Sequence, residues 1–155
     1  MSEKTSVSTI LRSGIVAGTL DAIAGVIVYY IWFGFNPFQV LQYIASGVHG
    51  PTAINGSIAM IFAGMGYHYF IAFVVAAIYF FAYPKFSVLR NDKAISGLLF
   101  GLGIWLVMNL LVLPNSNIPK GPFDLGLAVV GIFWHMILVG LPIALITSNH
   151  YNSKI

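Results

Sequence analysis

The sequence predicts an all-α fold, an integral membrane four-helix bundle, and its composition and hydropathy carry that prediction. Of the 155 residues, 59% are hydrophobic and only 7% are charged, whereas soluble domains carry about 25% charged residues. The apolar residues form stretches of about twenty, the length that a helix needs to cross a bilayer. A soluble fold of this size could not bury so much apolar surface. We therefore expect the lipid bilayer to surround the chain.

Four stretches have the length and hydropathy of spans, and together they form one membrane domain. They cover residues 12–33, 54–82, 94–113 and 125–147. The apolar part of the first stretch follows Lys4 and Arg12, but it contains Asp21 and runs on without a small-residue cleavage site. We therefore expect an uncleaved span rather than a signal peptide. Between the last two stretches, Pro119 and Pro122 rule out a continuous helix.

Lysine and arginine residues predict the orientation of these spans, because cytoplasmic connections carry an excess of them. Six basic residues fall on one side: Lys4, Arg12, Lys85, Arg90, Lys93 and Lys154. The other side has only Lys120. Both termini are therefore expected to be cytoplasmic.

Two finer features are expected. The long first connection has helical spacing of apolar and amide residues between Phe38 and Ala45, which predicts a short helix at the membrane interface. The first and third spans open with "SGIVAG" and "SGLLFG", and the second and fourth share Gly-x-x-aromatic-His. These matches predict two repeated helical hairpins, and parallel repeats occur among transporters.

Several classes of function are excluded by what the sequence lacks. The few basic residues form no run or nucleic-acid-binding motif. The chain has no cysteine, and therefore no disulfide or thiolate. It also has no zinc-protease, nucleophile-elbow or phosphate-loop motif and no paired carboxylates. Hydrolysis and phosphoryl transfer are therefore not expected, and a role other than catalysis is favoured.

Asp21 is the only carboxylate within a predicted span. An ionised carboxylate at such depth costs about 2.5–3.5 kcal/mol, so it must face other helices, find a partner or hold a proton. Gly14, Gly18 and Gly25 share its helical face, and small residues allow another helix to approach closely. Asp21 is thus a candidate binding residue, or else a polar contact between helices.

His68 and His135 are the matching candidates on the second and fourth spans. Each lies about a dozen residues from the external end of its span, so at 1.5 Å per residue their depths match each other and that of Asp21. Gly64 and Gly131 precede them by one turn and leave room beside each ring for a helix, a water or a ligand. The alternative for each ring is a simple hydrogen bond between helices.

The remaining polar and aromatic residues in and around the spans are expected to have simpler roles. Asn109 can extend the cluster toward the outside or hydrogen-bond a neighbouring helix. Aromatic residues at span ends, including Tyr79 and Tyr83, are typical of an interfacial belt. His49 and His150 lie outside the predicted spans, where we expect both to be solvated.

Six segments carry a resemblance to a known group of proteins: AGTLDAIAG, LQYIASG, FAGMGYHYFIAFVVAAIYF, VMNLLVLP, IPKGPF and IFWHMILVGLPIALI. They resemble small, uncharacterised bacterial membrane proteins, over nearly the whole chain. The resemblance implies four spans in a bacterial inner membrane. It also implies recurring polar positions at Asp21, His68, Asn109 and His135, but no reaction.

Three functions remain open. A binding or translocation site formed by Asp21, His68 and His135 could hold a proton, a cation or a small polar solute, with a divalent metal as a variant. Four spans are few for a transporter, so a homo-oligomer is expected. Paired histidines of a four-helix bundle could instead bind haem. The chain could also be a non-catalytic accessory subunit of a larger membrane complex.

Overall fold

The structure is a computed structural model that describes residues 5–152. Its α-helices are α1 Ser6–Phe33, α2 Pro37–His49, α3 Ile58–Ala82, α4 Ser87–Asn91, α5 Lys93–Val107, α6 Leu125–Trp134 and α7 Leu141–Asn152. A π-helical segment, His135–Gly140, joins α6 to α7, and another, Met108–Val112, continues α5. Over this part of the chain the fold is all-helical, as the sequence predicts.

Four continuous helices among the described residues are long and apolar enough to cross a membrane. They are Ser6–Phe33, Ile58–Ala82, Lys93–Asn115 and Leu125–Asn152. We refer to them as the first to fourth spans. Their number and composition support a multi-pass membrane protein.

Side-chain caps fix where several helices begin. Asn36 and Gln39 form a reciprocal capping box around the start of α2, with Pro37 at its first position. Asp92 accepts hydrogen bonds from the first turn of α5, and Asp124 does the same for α6. Two of the acidic residues are thus explained by helix capping, whereas Asp21 lies in the middle of α1.

Both ends of the described chain meet at one end of the bundle. Thr9 of α1 and His150 of α7 are hydrogen-bonded, with 2.8 Å between Oγ1 and Nδ1. The ring of Tyr151 stacks on Tyr83, the residue that follows α3, so the connection from α3 to α5 lies at the same end. We call this the terminal end. Of the six basic residues assigned to one side, Lys4 and Lys154 lie outside the described residues.

At the opposite end of the bundle, the two remaining connections contact each other. Asn117, in the connection before α6, donates its backbone N–H to Gly47 and its side-chain amide to Val48. Both acceptors belong to α2, which also packs along α3. Lys120 lies in this second connection and donates to the carbonyl of Pro114.

The core is tightest in the terminal half, and two expectations are wrong there. Tyr79 and Tyr83 belong to the buried core rather than to an exposed aromatic belt. The hydroxyl of Tyr79 is 2.8 Å from that of Ser96 on α5, which explains how a phenol is tolerated inside. His150 is buried rather than solvated, because α7 continues to Asn152 and packs against α1. His49 is exposed, as expected.

Each π-helical segment precedes a proline. Pro142 and Pro114 have no backbone N–H, and a proline ring clashes with the carbonyl one turn earlier. The chain widens there: Leu141 donates to Met136 and Leu113 donates to Met108, each five residues back. The widened turns let both spans continue, and one of them begins at His135.

Candidate functional site

Close packing of α1 on α3 brings His68 to the backbone of α1. A side-chain carbon at Gly18 would lie only 3.0 Å from the methyl group of Ala72, and one at Gly14 would overlap Phe73. The two helices can approach this closely only because both positions are glycine. The ring of His68 therefore reaches the carbonyl oxygen of Gly18, 2.7 Å from its Nε2.

The π-helical segment of the fourth span sets the position of His135. A side-chain carbon at Gly101 of α5 would overlap the carbonyl oxygen of His135 and lie 2.5 Å from Cα of Met136. Gly140 packs equally closely against the backbone of α5. The segment is thus held directly against α5, with its other side facing α1. The ring of His135 donates within its own helix, with 2.7 Å between Nδ1 and the carbonyl oxygen of Gly131.

The three residues predicted from matched depth come together at Asp21. Nδ1 of His68 lies 3.9 Å from Oδ2 of Asp21, and Nε2 of His135 lies 3.8 Å from Oδ1. The side chains of Asp21, His68 and His135 are 24%, 12% and 13% exposed. We call these three residues, with Trp134, the Asp21 cluster. The two gaps are longer than a direct hydrogen bond and suit a bridging water.

The backbone carbonyls determine which ring nitrogens carry protons. A carbonyl oxygen only accepts, so Nε2 of His68 and Nδ1 of His135 must each be the donor. In the neutral rings, the other nitrogen is then a lone pair. Those two nitrogens are the ones that face the oxygens of Asp21. When both rings are neutral and the carboxylate is ionised, two lone pairs therefore face its negative charge.

Trp134 is a member of the cluster that the sequence interpretation did not single out. Its indole N–H donates to Oδ1 of Asp21 over 2.7 Å, and its ring stacks on His135 with 5.1 Å between centroids. The pattern Gly-x-x-aromatic-His already contained it as the aromatic residue. Tyr67, the equivalent residue before His68, does something else and bonds His49 over 2.9 Å. The pattern alone therefore could not assign the role.

The other expected features lie away from the cluster. The side-chain amide of Asn109 donates to the carbonyl of Trp105 in its own helix, and Asn109 makes none of the cluster's described contacts. A side-chain carbon at Gly64 would overlap the carbonyl of Leu41, so the space beside that glycine is filled by α2. At Gly131 the neighbour is the indole of Trp105, 2.7 Å from such a carbon. Neither glycine leaves an open space beside its histidine.

The cluster does not fit a metal or a haem. Among residues 5–152 there is no group of three His, Cys, Asp or Glu side chains suited to holding a metal ion. The two rings face different oxygens of one carboxylate. A haem between the rings would have to displace Asp21, because the lone-pair nitrogens of both rings face its carboxylate.

Comparison with known proteins assigns no role to any of these residues. No protein-family model, curated protein or solved structure matches the chain. The resemblance to small bacterial membrane proteins therefore stays a prediction from the six segments that carry it.

Proposed function

We propose that this is a multi-pass protein of a bacterial inner membrane whose Asp21 cluster binds and passes a proton. One observation carries the proposal: the uncommitted nitrogens of His68 and His135 both face the carboxylate of Asp21, at 3.9 and 3.8 Å. A cation or small polar solute that travels with the proton is included in the proposal. Histidine is suited to the task because it changes charge near neutral pH.

The proposed mechanism follows from the arrangement of the cluster. A proton that arrives at either ring makes an imidazolium, which pairs with the ionised carboxylate. Because both rings face the same carboxylate, the proton can pass from one side of Asp21 to the other through a bridging water. The indole of Trp134 stays bound to Oδ1 and holds the carboxylate in place. Release regenerates the starting tautomers, since the two carbonyl acceptors never change partner.

The architecture supports the same proposal. The first and third spans carry Ser-Gly-x-x-x-Gly, and in each of them both glycines pack against the following histidine-bearing span. We infer two repeated hairpins, with α2 at the membrane interface and both termini cytoplasmic. The basic residues Arg90 and Lys93 lie beside α7 at the terminal end, and Lys120 lies at the other. A homo-oligomer completes the proposal, since four spans alone provide a narrow scaffold for translocation.

Proton flux into proteoliposomes tests the function. Vesicles containing an internal pH dye and a potassium gradient with valinomycin should acidify faster with the wild-type protein than with Asp21→Asn or His68→Ala. His49→Ala is the matched control, because His49 is exposed on α2 and outside the cluster. Equal proton flux for the wild type and the combined Asp21→Asn, His68→Ala variant would refute the proposal. The cluster would then be a polar contact between helices, as expected of an accessory subunit.

A further inference from the structure

Two buried hydroxyl groups in the terminal half have no hydrogen-bond partner. Ser13 of α1 is 1% exposed and Thr147 of α7 is 0% exposed. Their oxygens are the two buried side-chain polar atoms without a partner among residues 5–152. Such groups are rare in native proteins, and an internal water is a common explanation.

These two hydroxyls lie at the same level of the interface between α1 and α7. The hydrogen bond between Thr9 and His150 fixes the relative position of the two antiparallel helices. Ser13 lies four residues beyond Thr9, and Thr147 lies three residues before His150. Both steps equal about one helical turn, and both lead deeper into the bundle. Ser13 and Thr147 therefore lie at matching depths on the two sides of the interface.

Polar residues of α1, interrupted by Ala17, lead from the terminal end toward the Asp21 cluster. Thr9, Ser13, Ala17 and Asp21 follow one another at intervals of four residues along one face of α1. Beyond Asp21 the buried positions on α1 are Ala24 and Val28, which are apolar. Along α1, the buried hydroxyl groups thus lie on the terminal side of Asp21.

We propose that Ser13 and Thr147 bind a buried water molecule, and that this water serves the proton route between the terminal end and the Asp21 cluster. A water molecule both donates and accepts, so it satisfies both hydroxyls at once. The proposed route rests on the proposed function of the cluster. Between the water and Asp21 lies one apolar layer containing Ala17 and Val139. The route is therefore closed in this conformation, at a layer to which the π-helical segment contributes Val139.

Infrared spectroscopy tests the bound water directly. In hydrated lipid films, the wild-type protein should show an internal-water O–H stretching band that shifts when H2-18O replaces water. The Ser13→Ala, Thr147→Val double variant should lack the band, whereas Ser87→Ala, at an exposed position, should retain it. Thr147→Ser keeps the hydroxyl and should also retain the band, which guards against loss through misfolding. Absence of the band from the wild type, or its persistence in the double variant, would overturn the proposal.

Exchange of indole N–H groups with D2O tests the route. In nanodiscs, nuclear magnetic resonance resolves the indole signal of Trp134 from that of Trp32, which is exposed. The double variant should slow exchange at Trp134 by about tenfold or more and leave Trp32 unchanged. An unchanged exchange rate at the indole N–H of Trp134 would contradict the proposed route. Neither measurement requires transport, so a failure of proton flux would count against the proposed function separately.

Discussion

Substituting alanine at Gly101 should disturb the Asp21 cluster from behind, whereas the same substitution two residues away should not. A side-chain carbon at Gly101 would lie 2.5 Å from Cα of Met136, where ordinary contacts lie at 3.4–4 Å. The atoms in its way are backbone atoms of the π-helical segment, so the fourth span must retreat by about 1 Å. At Gly103 an added carbon would meet nothing within 4 Å.

The magnitude follows from comparing the two variants. Both gain the same helix propensity, up to about 1 kcal/mol for Gly to Ala, so that term cancels. The overlap at Gly101 costs about 1–3 kcal/mol, as overpacking in a close-packed interior does. Gly101→Ala should therefore have a lower free energy of unfolding than Gly103→Ala by about 1–3 kcal/mol.

Reversible unfolding in mixed micelles of dodecylmaltoside and SDS, followed by circular dichroism, measures this difference. Tryptophan fluorescence gives a second readout, since the retreat from α5 would shift His135 and its stacked indole toward α1 and change their contacts with Asp21. Equal stability of the two variants, or a more stable Gly101→Ala protein, would refute the close contact between α5 and the π-helical segment.

Three further predictions concern the cluster, the docking of α2 and the orientation. Trp134→Phe removes the indole donor to Asp21 and should lower the free energy of unfolding by about 1.5–3 kcal/mol, the range for a hydrogen bond to a charged group. Trp32→Phe is the control, and an equal loss of stability in both variants would contradict the hydrogen bond. Gly64→Ala should destabilise the protein relative to Gly66→Ala by about 1–3 kcal/mol in the same titration, because only the first meets the backbone of Leu41; a stabilised Gly64→Ala protein would argue against α2 packing here. The chain has no cysteine, so a single introduced cysteine reports the side of the membrane on which it lies. Lys120→Cys should react with a membrane-impermeant maleimide in intact spheroplasts, whereas Lys85→Cys should not. The reverse labelling pattern would invert the proposed orientation.

Hydropathy and helical rise predict much of this protein, because both act locally along the chain. The four spans follow from apolar length, and the meeting of Asp21, His68 and His135 follows from equal depth at a fixed rise per residue. Depth, however, does not specify which atoms face one another. The tautomers of the rings depend on the carbonyls of Gly18 and Gly131, and those contacts exist only once the helices are packed.

The wrong expectations have a common physical origin. The predicted last span ends at Thr147 and leaves His150 outside it, yet the helix continues and buries its polar residues against α1. The position of Tyr79 at a span end predicts an interfacial phenol, but Ser96 provides a hydroxyl partner within the core. In both cases a polar partner on another helix decided the outcome, and hydropathy carries no information about such partners.

The hydrogen bond between Thr9 and His150 also has a topological consequence. A chain that crosses the bundle an even number of times returns to where it began, and here its first and last helices are directly paired. A short linker between Thr5 and Asn152 would close the backbone into a ring without lengthening any helix. New ends could then be opened in the connection around Gly121, where an added side chain meets nothing within 4 Å. The order of the helices along the gene is thus separable from their arrangement in space, and a circularly permuted chain is compatible with the same bundle.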